Sequence, residues 1–171
     1  MGWRDVGLAR PASWLRTLTL ATAAGLALEL FSTFVTVPLL SRFVGQPPDL
    51  SDFRPMVGSL RLVLLFTLIN WPLAAFGEEM VHRGYLMNRI AGIGGGGRWA
   101  WTPSLVTVSA LFGAGHFYQG PTGMIQESIS GLLLGLVYLA ARRSLWMSII
   151  AHGVSNQVAF LLIYLDRYPG V

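Results

Sequence analysis

Long apolar runs alternate with short breaks of proline, glycine and arginine along the 171-residue chain. The first run covers residues 17–40. A second begins at residue 60 and keeps a helical pattern to residue 90, before Gly92 and the glycines at 94–97 break it. Three more cover residues 103–118, 121–141 and 145–165. A helix needs ~20 apolar residues to cross the hydrocarbon core of a bilayer, and connections this short make neighbouring helices antiparallel. The pattern predicts an all-α, multi-pass transmembrane bundle of about five spans, forming a single domain over residues 1–171. Residues 42–58, with Pro47, Pro48 and Pro55, make the first loop. The N-terminal tail carries Arg4, Arg10 and Arg16 and looks like a signal-peptide basic region. The apolar run behind it is too long for a signal core, so it reads as a retained span.

Composition agrees with this class. The chain is 53% hydrophobic and only 12% charged, with mean hydropathy +0.56, whereas roughly a quarter of residues are charged in soluble domains. The basic residues are all arginine, and the net charge is +4; we read them as anchors to the anionic headgroups of a lipid bilayer, with no nucleic-acid partner. Arg4, Arg10, Arg16, Arg89, Arg98, Arg142 and Arg143 fall on one predicted side, against Arg42, Arg54, Arg61 and Arg167 on the other. That bias predicts a cytoplasmic N-terminus in a cell membrane. Trp3, Trp14, Trp99, Trp101 and Trp146 near span ends fit an aromatic belt. The lack of lysine, with abundant Ala, Gly and Arg, suggests a GC-rich bacterial coding sequence. Without cysteine there are no disulfides, thiolate metal sites or cysteine nucleophiles. The glycines at 94–97 lack the following Lys-Ser or Lys-Thr of a phosphate cradle.

Acids are costly inside a bilayer and usually face a water cavity, a partner or a reaction. Glu29, Glu78, Glu79 and Glu127 all fall within apolar runs. Counted from the predicted cytoplasmic ends at 1.5 Å per residue, Glu29, Glu78, His116, Glu127 and Asn156 all lie ~17–21 Å deep, with His152 one turn below Asn156. Five spans thus place polar groups in one layer, which predicts a shared intramembrane polar site. A carboxylate there can take a proton from water, an imidazole can share that task or bind a metal, and an amide can donate to an oxyanion. Glu79 and Arg83 form an i, i+4 pair in the favourable order and read as structural. That leaves Glu78 as the freer carboxylate and the candidate base; His82 reads as interfacial or supporting. His152 and Asn156, also four apart, can face a carbonyl together. Glu29 reads as an interhelical contact, and Glu127 either pairs with a neighbouring helix or hydrogen-bonds to the site and tunes a pKa there, the helix pairing being preferred.

Residues 78–83 (EEMVHR) fit EExxxR, residues 112–116 (FGAGH) fit FxxxH, and residues 152–156 (HGVSN) fit HxxxN. In this order they resemble the CPBP intramembrane protease family, which includes the type II CAAX prenyl endopeptidases and the bacterial Abi proteins. The likeness extends through RGYL at 83–86 and the stretch 131–146. The resemblance implies a membrane-embedded endopeptidase in which Glu78 and His116 activate water, His152 and Asn156 orient or stabilise the oxyanion, and Glu79 and Arg83 support the site. It implies a membrane-anchored, lipidated or amphipathic peptide substrate. The family is labelled metalloprotease, and two readings stand. Zinc or another divalent metal could be held by Glu78, His116 and His152 with water fourth. A metal-free Glu and His pair is the other, favoured by the absence of an HExxH helix and by imidazoles on different spans. Two other function classes remain: a non-catalytic membrane immunity or scaffold protein, and a small ion-coupled transporter using Glu29, Glu78 and Glu127, for which internal repeats would be expected.

Overall fold

The computed structural model describes residues 5–171; Trp3 and Arg4 lie outside the described residues. Among the described residues the chain is all-α, with no strand. Its long helices are α1 (Trp14–Val44), α2 (Leu60–Ile93), α3 (Trp101–Gly115), α4 (Gly120–Ala140) and α5 (Leu145–Tyr164).

Local chemistry sets the boundaries. The Ser13 hydroxyl accepts the Arg16 N–H at 3.3 Å to start α1, and Gly45, at φ 88°, closes it. Ser59 caps α2 by accepting the Leu62 N–H at 3.5 Å. Between them the proline-rich loop holds one 3₁₀ turn, Ser51–Met56. α2 runs well past the length of one crossing and stops at the glycine run, where Gly95 and Gly96 take positive φ.

Four segments are long and apolar enough to cross a membrane: α1, α2, Phe117–Ala140 (which contains α4) and α5. The expected third span, 103–118, is the exception. α3 has 15 residues, ~22 Å of rise, against a hydrocarbon core ~30 Å thick. It ends because His116 leaves helical geometry at φ −97°, ψ 28°, and Gly120 at φ 71° turns the chain into α4 behind Pro121.

α1 packs along α5 and α3 along α4. Both contacts depend on glycine: a Cβ on Gly25 would strike the Ala151 carbonyl, and one on Gly113 would strike the Met124 carbonyl and the Ser128 hydroxyl. Small residues permit such close approach where lipid supplies no hydrophobic drive between helices. At one end of the bundle Trp14 meets Trp146 edge-on at 5.3 Å, the Leu145 N–H donates to Gly7 O at 2.9 Å, and Arg143 lies over Trp101. At the other, the Asp49 N–H donates to Gln119 O at 2.9 Å and the Thr122 hydroxyl to Gln46 O at 2.7 Å. One apolar cluster joins Ala75, Met87, Leu105, Val108, Tyr138, Leu145 and Ile149; a second joins Leu50, Met56, Val63, Phe160, Ile163 and Tyr168. Leu15, Phe34, Leu68, Leu73 and Val106 stay exposed, as a lipid-facing surface requires.

Replacing Gly113 by Ala should lower stability by about 1–3 kcal/mol through overpacking, measured by thermal unfolding in detergent. Gly92→Ala, where the added methyl meets nothing within 4 Å, should leave the transition unchanged or raised.

Candidate active site

The site grows from an irregularity in α2. Residues Asn70–Glu78 and Met80–Met87 wind as π-helix, wider than the α-helix on either side. The buried residues of this stretch are Asn70, Ala75, Glu79, Arg83, Gly84 and Met87. They recur mostly every four or five positions. At 3.6 residues per turn such a stripe would wind around the helix; the wider π turn keeps it on one face, and such turns are frequent at functional sites.

Glu79 and Arg83 lie on that stripe and are fully buried, at 0% and 1% exposure. Arg83 Nη1 donates to Glu79 Oε1 at 2.7 Å and Nη2 to Gly131 O on α4 at 2.7 Å. The guanidinium also lies over the Phe112 ring of α3, 4.9 Å from its centroid. His152 of α5 reaches the same carboxylate oxygen through Nδ1 at 3.0 Å. A carboxylate can only accept, so Nδ1 carries the hydrogen and Nε2 is left toward the cavity.

Glu78, the neighbouring residue, is in a different setting. Its side chain is 35% exposed and its Oε2 stands 4.0 Å from His152 Nε2. At the end of α3, His116 Nδ1 donates to Phe112 O at 2.9 Å; a carbonyl acceptor fixes that tautomer and leaves Nε2 as the basic nitrogen. Phe112 is the ring around which all three histidines of the chain assemble, with His82 and His116 at 5.0 Å and His152 at 5.8 Å. His82 itself donates to Glu78 O at 2.8 Å and does not line the cavity.

Glu78, His116, His152 and Asn156 line one cavity of about 210 Å³, and Glu127 lines it with them. The reading of Glu127 as an interhelical contact is corrected here: it makes no hydrogen bond or ion pair with a described residue and faces the shared space. Glu29 does form an interhelical contact, accepting Ser155 Oγ of α5 at 2.7 Å and Thr33 Oγ1 at 3.1 Å. It lines a smaller recess of about 60 Å³ that adjoins His152, Asn156 and Glu127. Tyr168, from the C-terminal tail, lines both spaces; burial, then the nearby carboxyls of Glu29 and Glu127, pushes its hydroxyl up, keeping it a proton-bearing donor.

Sequence reasoning missed Asn70. Its amide donates to Gly153 O at 3.1 Å while its oxygen accepts Asn156 Nδ2 at 2.9 Å, so it locks the HxxxN helix to α2 and holds the Asn156 amide. The signal was available: Asn70 is a polar side chain in an otherwise apolar run, the same anomaly that marked the glutamates. Among the described residues no three His, Asp or Glu side chains gather closely enough to hold a metal ion. The set Glu78, His116 and His152 therefore does not form a ligand cluster in this arrangement.

Residues 60–158 match the family described as type II CAAX prenyl endopeptidase Rce1-like. The chain belongs to that family. The Rce1-like region contains all three motifs, starts at the first residue of α2 and ends within α5. It leaves out α1, which nonetheless carries Glu29. Rce1-like membership makes the chain a membrane protein of CAAX-type endopeptidase kind. No curated protein and no solved structure matches the chain.

Removing Arg83 would strand the Glu79 carboxylate in the core. Arg83→Ala should cost about 3–5 kcal/mol in unfolding experiments in detergent, and a double-mutant cycle with Glu79→Gln should recover part of the loss as coupling energy.

Proposed function

We propose that the chain is an intramembrane endopeptidase that hydrolyses a peptide bond of a membrane-anchored, lipidated or amphipathic substrate with water activated by Glu78 and His116. The observation that carries this reading is the divergence of two adjacent carboxylates. Glu79 is buried and bound on one oxygen by Arg83 and His152, while Glu78 is half-exposed to the cavity without a hydrogen-bond donor. Environments that separate paired carboxylates in this way separate structural from chemical roles.

Glu78 takes a proton from a cavity water, with His116 Nε2 as the second basic atom. The hydroxide oxygen attacks the substrate carbonyl carbon. Asn156, held by Asn70, offers its amide to the developing oxyanion, and preorganised donors of this kind act strongly where bulk water is excluded. His152, oriented by Glu79, presents Nε2 beside Glu78. We route no step through a metal, and the lack of a three-residue ligand set among the described residues supports that reading.

The cavity walls suit an apolar substrate. Phe53, Phe66, Phe160 and Ile163 face the same space as the polar groups, and lipid-facing side chains surround the bundle, which supports a substrate held in the bilayer. A prenylated or otherwise lipidated tail fits that chemistry.

In proteoliposomes containing membrane-embedded peptides, Glu78→Gln and His116→Ala should each lower cleavage by at least ~10²-fold, and Asn156→Ala by ~10²–10³-fold. A chelator should leave wild-type cleavage unchanged. Chelator-sensitive cleavage restored by zinc would replace the metal-free reading with the zinc one. Equal cleavage by wild type and Glu78→Gln would remove the hydrolytic role of the site.

A further inference from the structure

Hydrolysis of an amide needs two proton transfers, one from water and one to the departing nitrogen, which is too basic to leave as an anion. The residues above supply the first. For the second, α4 holds a carboxyl in the right place.

Glu127 lines the same cavity as Glu78, His116, His152 and Asn156, and it also lines the recess that holds Glu29 and Tyr168. Two of the other intramembrane acids are engaged, Glu29 by Thr33 and Ser155 and Glu79 by Arg83 and His152, while Glu78 is the base of the first transfer. Glu127 has no hydrogen bond or ion pair with any described residue. Its titratable neighbours come from several sides: Glu78 on α2, His116 just after α3 and His152 on α5 line the same cavity. Tyr118 from the turn after α3 and Tyr168 from the tail line that cavity as well, and Glu29 from α1 lines the adjoining recess. A carboxyl placed among reacting groups, with no cation or donor fixing it, is built to exchange a proton, and an apolar run gives it no cheaper reason to be there.

We propose that Glu127 is the general acid of this site, donating its carboxyl proton to the amine nitrogen of the scissile bond. The inference rests on the hydrolytic reading above. As water oxygen bonds to the carbonyl carbon, Glu78 receives the water proton. As the C–N bond breaks, its electron pair goes to nitrogen and Glu127 protonates that nitrogen. The site is left with Glu78 protonated and Glu127 ionised, and a proton crossing the shared cavity from one to the other restores it. The net reaction consumes one water and releases a carboxylic acid and an amine.

The test compares two substrates with the full chain in proteoliposomes: a membrane peptide, and the same acyl segment carrying a p-nitrophenyl ester, whose leaving group needs no proton. Glu127→Gln should lower kcat on the peptide by ~10²-fold with KM unchanged, while ester cleavage stays within about twofold of wild type. Glu127→Asp should restore part of the peptide rate. Equal loss on peptide and ester, or an undiminished peptide rate in Glu127→Gln, would overturn the assignment. Glu78→Gln serves as the control: it should abolish both activities, and if it abolishes neither, the hydrolytic reading fails rather than the role of Glu127 alone.

Discussion

The ion pair of Glu79 with Arg83 is the contact on which the rest of the site depends. Both groups are buried, and lipid cannot solvate either, so each must be satisfied by protein. Arg83 reaches α4 through the Gly131 carbonyl and α3 through the Phe112 ring, while Glu79 reaches α5 through His152. Four helices thus meet at a single neutralised charge pair. Consecutive residues on a helix point in different directions, so burying Glu79 turns Glu78 toward the cavity. One structural commitment thereby orients two groups: it leaves a free carboxylate beside the space where water and substrate meet, and it aims His152 Nε2 at that space.

Aromatic packing carries this order to the histidines. Phe112 contacts His82, His116 and His152 as well as Arg83, and its own carbonyl fixes the His116 tautomer. The close approach at Gly113 brings this part of α3 against α4, where Gly131 and Glu127 sit. Outside the Rce1-like region, α1 closes the polar layer from the far side: Gly25 allows it to lie against α5, and Glu29 binds Ser155 one turn from His152.

The polar layer was legible because the membrane makes misplaced polar groups conspicuous. Counting residues from span ends brought Glu29, Glu78, His116, Glu127 and Asn156 to one depth with His152 one turn below, and the structure puts Glu78, His116, Glu127, His152 and Asn156 around one cavity with Glu29 in the adjoining recess. The long second helix was legible too, from an unbroken apolar pattern ended by glycines. The end of α3 was not, because apolar character runs on past His116 to Tyr118 and only backbone geometry at His116 and Gly120 shows the turn. The π-helical winding of α2 was hidden for a related reason. Reading at 3.6 residues per turn places Asn70 on a different face from Glu79 and Arg83, and the amide that holds Asn156 went unnoticed. Glu127 was seen as an anomaly, but whether it paired with a helix or faced the cavity depends on side-chain contacts that spacing does not encode.

The most direct measurement reads unfolding and cleavage side by side for glutamine at each of the adjacent glutamates. Glu78→Gln should unfold as wild type does and cleave no membrane peptide, whereas Glu79→Gln should lose stability because Arg83 is left buried without its partner. Full cleavage by a folded Glu78→Gln protein, or a Glu79→Gln protein as stable as wild type, would contradict the division of roles between these two residues.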